Sequence, residues 1–143
     1  RPDRIIVGEC RGAESLDMLQ AMNTGHDGSM TTIHANSTDD VLKRLEVLVL
    51  MAVDLPVISI QRQVASAIDI VVQISRLPGG KRGVTQISEA TGYDSVRKCV
   101  ATTDIFSSRD EAGLVPTGYM PSFIDRLVAG DLLKLEFLYG DQN

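Results

Sequence analysis

Residues 5 to 9 read Ile5-Ile6-Val7-Gly8-Glu9, and the fold is decided by how this stretch is read. Three β-branched residues in a row, with no polar alternation, match a strand buried on both faces of a parallel sheet. Gly8-Glu9 then ends the run in a loop that carries a carboxylate. Downstream, Leu16, Met18, Leu19 and Met22 recur at helical spacings between Ala13 and Asn23. They predict a helix of about three turns with Gly25 as its stop. Met30-Thr31-Thr32-Ile33 follows Gly28-Ser29, is rich in β-branched residues and delivers His34 at its carboxyl end, so it predicts a second strand.

Working outward, Asn36 and Ser37 offer N-caps to a helix over Asp39 to Ala52, where Val41, Leu42, Leu45, Leu48, Val49 and Ala52 form one stripe. Pro56 suits the first position of another helix, with Val57, Ile60, Val64 and Ile68 on one face up to Asp69. Ile70 to Ile74 returns to strand. Strand, helix, strand, helix in this order predicts an α/β sheet with right-handed crossovers through Ile74. Past Leu77 the texture changes. Pro78-Gly79-Gly80 marks a turn, and Val84 to Ala90 and Val100 to Phe106 read as short strands joined through Gly92-Tyr93-Asp94-Ser95. Pro121-Ser122 opens a last helix carrying Ile124, Leu127 and Val128, stopped by Gly130. The chain thus divides into residues 1–77, a partial parallel α/β core, and 78–143, a small antiparallel appendage with a terminal helix.

The 143 residues fit one ordinary domain but are few for a complete mononucleotide-binding enzyme. Hydrophobic residues at 43% and charged residues at 23% are the usage of a packed globular protein rather than a disordered one. A net charge of −5 supplies no basic field for phosphate backbones, which excludes direct nucleic-acid binding as the expected role. Cys10 and Cys99 show neither metal-ligand nor CxxC spacing, so neither a zinc site nor a disulfide framework is expected, and a reducing cytoplasm is the natural setting. The longest apolar run, Val47 to Val53, falls well short of the roughly 20 residues that span a bilayer. The opening Arg1-Pro2-Asp3-Arg4 has no Met and already belongs to a motif, so the N-terminus reads as a cut inside a longer protein.

Two constellations carry chemistry. The first is the strand that delivers Gly8-Glu9, followed by Arg11-Gly12. In an open α/β sheet ligands bind at the carboxyl ends of the strands, and phosphoryl transfer needs an acid there to order magnesium or the attacking water. Glu9 is placed for either task, although a solvated loop Glu is the commoner reading of such a residue. The second is Thr24-Gly25-His26-Asp27-Gly28-Ser29-Met30-Thr31-Thr32-Ile33-His34-Ala35-Asn36, with one His before the strand and another after it. A strand rises about 3.3 Å per residue, so the two imidazoles lie near opposite ends and only one can face a given phosphate. His34 shares the carboxyl edge with Glu9, where a ring N–H could donate to a terminal phosphate and register its loss.

Arg1 to Glu14 resembles the Walker B segment of the type II and type IV secretion ATPase superfamily, and Thr24 to Asn36 resembles its histidine box, in the same order and at the family's distance. Ala21-Met22-Asn23-Thr24-Gly25, Arg44-Leu45-Glu46, Gln63 to Asp69 and Pro116 to Phe123 further resemble the CpaF-type ATPases of tight-adherence (Flp) pili. The resemblance implies the C-terminal half of a RecA-like P-loop NTPase core. It implies a homo-hexameric ring at the cytoplasmic face of the bacterial inner membrane, held there by a pilus or secretion platform protein and using ATP and Mg2+ to drive assembly or export. Within it, Glu9 would be the Walker B glutamate that positions magnesium, directly or through water, and His34 the γ-phosphate sensor. Arg11 would be the arginine after Walker B, its permanent charge suited to phosphate or to a carboxylate of a neighbouring motif; a surface pair with Glu14 is the structural alternative. The Gly-x-x-x-x-Gly-Lys-Ser/Thr phosphate loop and the aspartate box of the family do not occur among the 143 residues. Without that cradle the chain alone is expected to be inactive, and with a core cut through its sheet it is expected to dimerise or aggregate. Two other functions fit the same text: a type IV secretion or conjugation ATPase, and a RecA-like interaction module that uses no nucleotide.

Overall fold

The computed structural model of the chain describes residues 2–108 and 113–134. Strand β1 (Ile6–Val7) lies parallel to β2 (Met30–Thr31), pairing Ile6 with Met30 and Val7 with Thr31. The ladder continues past both ends: Met30 N donates to Ile5 O at 3.0 Å and Cys10 N to Thr32 O at 3.0 Å. Helix α1 (Glu14–Met22) makes the crossover between them, as a parallel pair requires. Helices α2 (Thr38–Ala52) and α3 (Val57–Ala67) complete the apolar layer. Leu19, Leu45, Val49, Ile60 and Val64 are fully buried where the three helices meet. These are the positions that the 3.6-residue period singled out.

Two glycines and one cap explain the local geometry. Gly28 has φ +77°, and a Cβ there would meet Arg4 Nε at 2.8 Å, so a side chain at the entry to β2 would be strained and would have to push Arg4 aside. Gly12 leaves room for the Glu14 carboxylate, whose Oε2 lies 3.3 Å from where a Cβ would stand. Ser37 caps α2, its side chain accepting from Asp40 N at 3.1 Å.

A second sheet packs against α2 and α3. Its order is β3 (Ile70–Arg76), β4 (Arg82–Asp94), β5 (Cys99–Ser108), β6 (Leu114–Pro116), all antiparallel. Here the sequence reading of Ile70 to Ile74 as a further strand of the parallel sheet is corrected: β3 is an edge strand that pairs with β4, because the turn at Pro78-Gly79-Gly80 folds the next strand straight back onto it. The hairpin turn also sits later than Gly92 to Ser95. β4 runs on to Asp94, whose Oδ1 accepts from Val96 N at 2.8 Å and Arg97 N at 3.0 Å, while Lys98 takes φ +54°. Pro56 is the residue before α3 rather than its first, with ψ 131°. Helix α4 (Ile124–Ala129) starts after Phe123, because Ser122 turns back to Glu89 on β4. Among the described residues no helix is long and apolar enough to cross a membrane.

Candidate phosphate-facing site

Because β1 and β2 run parallel and in register, their carboxyl ends emerge on one edge of the sheet. Thr32 Oγ1 donates to Gly8 O at 2.6 Å and Cys10 N to Thr32 O, which ties the two emerging loops together on either side of Glu9. The result brings the expected residues into one cluster. His34 Nε2 lies 3.1 Å from Glu9 Oε1, and Arg11 Nη2 lies 2.5 Å from Glu9 Oε2. Glu9 is the sheltered member, its side chain 23% exposed against 75% for Arg11 and 86% for His34. One carboxylate thus holds two cationic or polar groups whose outer surfaces remain open to a ligand.

The Arg11 guanidinium beside Glu9 holds the Glu9 carboxyl below its ordinary range, and the charges of His34 and Arg44 add to this against the opposing effect of partial desolvation. The same pair raises Arg11. Arg11 therefore bonds to Glu9 through its side chain and not to Glu14. Glu14 Oε1 instead accepts from the backbone amides of Arg11, at 2.5 Å, and Gly12, at 2.9 Å, which lowers its pKa and closes the start of α1. His26 is elsewhere: its Nδ1 contacts Ala21 O at 3.1 Å at the end of α1, and its own carbonyl accepts from Ser29 Oγ at 2.7 Å. It braces the entry to β2 while His34 stands at the exit.

Beside His34 opens a polar cavity of about 430 Å3 lined by His34, Ala35, Asn36, Asp40 and Arg44. Arg44 comes from α2, ten residues beyond His34, and only the packing of that helix brings its charge to bear on Glu9. No spacing rule marked it. A larger groove of about 520 Å3 runs from His34 between β2, α2 and β3 and is mainly apolar. Among the described residues no group of three or more His, Cys, Asp or Glu is arranged to hold a metal ion. A magnesium ion is normally held by one or two carboxylates with water and substrate phosphate. Glu9 fits that sparse donor set and would not fit a dedicated protein cage.

The description Type II/IV secretion system protein belongs to the family whose profile matches residues 1–109. A probable conjugal transfer protein TrbB of Sinorhizobium fredii is 36% identical over 111 residues, 78% of this chain and 33% of that protein. A putative conjugal transfer protein of Mycobacterium tuberculosis is 41% identical over 88 residues, 62% of this chain and 25% of that one. The crystal structure of the VirB11 ATPase from the Brucella suis type IV secretion system, in complex with sulphate, superposes with a TM-score of 0.58 at 31% identity, covering 62% of this chain and 28% of that one. The chain thus spans a quarter to a third of the length of these relatives. Its α/β architecture is that of the RecA-like VirB11 ATPase. A match running from the first residue through the end of β5, across the parallel strand pair and its carboxyl edge, places this chain in the type II/IV secretion system ATPase family.

Proposed function

We propose that this chain supplies the acid and the phosphate sensor of a secretion ATPase that works as a six-membered ring. The observation that carries the reading is the 3.1 Å contact between His34 Nε2 and Glu9 Oε1 at the shared carboxyl edge. Glu9, kept ionised beside Arg11, would order Mg2+ or its water and polarise the attacking water; His34 and Arg11 would face the outer phosphates of ATP, with Arg44 behind them. Magnesium, when bound, supplies charge neutralisation between phosphate oxygens. A helpful switch follows from the geometry. While phosphate is present His34 has two acceptors to choose from, and on its departure only Glu9 remains. The Brucella relative binds sulphate, a tetrahedral anion of the same charge class as phosphate. The phosphate loop would come from a preceding segment of a longer chain, so the 143 residues alone would bind ATP weakly and turn nothing over. The ring would sit at the cytoplasmic face of the inner membrane against a platform protein.

The finer assignment is a CpaF-type motor of tight-adherence pili, supported by the text of Pro116 to Phe123, which folds here as a strap bonded to Glu89. The second reading, conjugation or type IV secretion, is favoured by the conjugal transfer proteins among the relatives above. In the full-length protein, Glu9→Gln should abolish hydrolysis while ATP is still bound, and His34→Ala should lower turnover. Unchanged hydrolysis in both variants would remove Glu9 and His34 from the chemistry, and absence of hydrolysis in the wild-type protein would favour a nucleotide-independent interaction module. Loss of piliation with intact DNA transfer in a deletion strain would select the pilus motor, and the reverse would select conjugation.

A further inference from the structure

Between His34 and the first turn of α2 the chain is stitched to three strands of the antiparallel sheet. Ala35 O accepts from Gln73 Nε2 of β3 at 3.4 Å. Thr38 Oγ1 lies 3.3 Å from Ser88 Oγ of β4, which lies 2.7 Å from Asp104 Oδ1 of β5. The same Asp104 oxygen accepts from Gln86 Nε2 at 2.8 Å, and Asp39 Oδ1 accepts from Thr102 Oγ1 at 2.6 Å. The Ser88 hydroxyl faces two acceptors, Asp104 Oδ1 at 2.7 Å and Thr38 Oγ1 at 3.3 Å, and so relays the first turn of α2 to β5 through β4.

The chemistry of this seam is unexpected for a packing contact. Ser88 is 0% and Thr38 2% exposed. A buried hydroxyl pair contributes no more to stability than apolar groups of the same shape would, but it has a direction. Apolar side chains would let α2 slide over the sheet. The relay holds the register of its first turn, and with it the short segment Ala35-Asn36-Ser37 that leads back to His34.

We infer that this seam passes the state of the phosphate-facing site to the antiparallel sheet, with Gln73, Ser88 and Asp104 as positioning residues that act through His34. The inference rests on the reading of His34 as a phosphate-facing group. Phosphate arriving at or leaving His34 shifts Ala35 and the start of α2, and the relay converts that shift into a displacement of β3, β4 and β5. By linkage, a load on the sheet changes the affinity at His34 by the same factor. The sheet is then the output element of the motor rather than a passive appendage.

The test uses the full-length protein, with steady-state ATP hydrolysis and hydrogen exchange at β4 and β5 measured with and without ATP. Ser88→Ala, Asp104→Ala and Gln73→Glu, the last a near-isosteric change that turns a donor towards Ala35 O into an acceptor, should each lower kcat about ten- to a hundredfold, the usual cost of a misplaced catalytic group. KM should move less, by about twofold, since His34 is one of several groups that face ATP. The ATP-dependent change in exchange at β4 and β5 should disappear with kcat. Asp104→Asn keeps the Oδ1 acceptor and should recover most of both. Tyr119→Phe removes a bond from Glu89 on the same strand but none from α2, and should leave both unchanged. Seam variants that retain kcat and the exchange response, or that lose them only in step with Tyr119→Phe, would overturn the coupling while leaving the site itself intact. Wild-type protein that neither hydrolyses ATP nor responds to His34→Ala would overturn the site and the coupling together.

Discussion

Glu89 is the buried carboxylate of the antiparallel sheet, 4% exposed, and no cation neutralises it among the described residues. It is held by donors instead: Tyr119 Oη–H at 2.9 Å on Oε2, Ser122 N at 3.2 and 3.1 Å to the two oxygens, and the Ser122 hydroxyl on Oε1. Burial pushes its carboxyl up, but the Ser122 hydroxyl and amide with Tyr119 outweigh that effect and leave it below the ordinary value. Glu89→Gln keeps one acceptor oxygen and the side-chain shape. The variant therefore exchanges charge-assisted bonds for neutral ones and should cost about 1–2 kcal/mol, the difference between bonds of roughly 1.5–3 and 0.5–1.5 kcal/mol. At this chain length that corresponds to about 3–8 °C in Tm. The pH sign follows from the lowered folded pKa: the stabilisation is present above the unfolded carboxyl value and is lost as pH falls through the folded one. Thermal melts followed by circular dichroism should show the full gap between wild type and variant near neutral pH and its closure at acid pH, once the pH has fallen through the lowered folded value and the carboxyl is protonated in both states. An equal gap at both pH values would show that shape, and not charge, holds the strap.

Arg11→Ala should let the Glu9 carboxyl rise towards its ordinary range, because the guanidinium is the largest influence holding it down; the acid limb of kcat/KM in the full-length enzyme should move to higher pH, and an unmoved limb would detach Glu9 from the observed ionisation. Ser37→Ala removes the cap of α2 and should cost about 1 kcal/mol in urea melts, with a loss below about 0.3 kcal/mol counting against the cap. Gly28→Ala places a methyl against Arg4 Nε at a residue with φ +77° and should destabilise by more than about 1 kcal/mol, which the same melts would measure. Ile6, Met30, Ile74 and Val72 are 70%, 57%, 60% and 49% exposed along the strand faces and edges, so sedimentation of the 143-residue chain should show concentration-dependent association; a monodisperse monomer at high micromolar concentration would refute it.

Local pattern alone determined much of this protein. The stripes of Leu42, Leu45, Val49 and of Ile60, Val64 named the buried faces of α2 and α3, since helical periodicity is a property of neighbouring residues. The β-branched runs ending in Glu9 and His34 put these two residues on one edge, since strands of a parallel pair joined by one helix must emerge on the same side. Tertiary structure alone decided three further matters. Ile70 to Arg76 joined the antiparallel sheet although its letters suit either partner, because pairing is chosen by what lies alongside in space and not by propensity. Arg44 came within electrostatic range of Glu9 although 35 residues of sequence separate them. Gln73, Ser88 and Asp104 met the loop after His34 because α2 packs across the sheet, and hydrogen bonds between residues so far apart in the chain leave no periodic trace in the sequence.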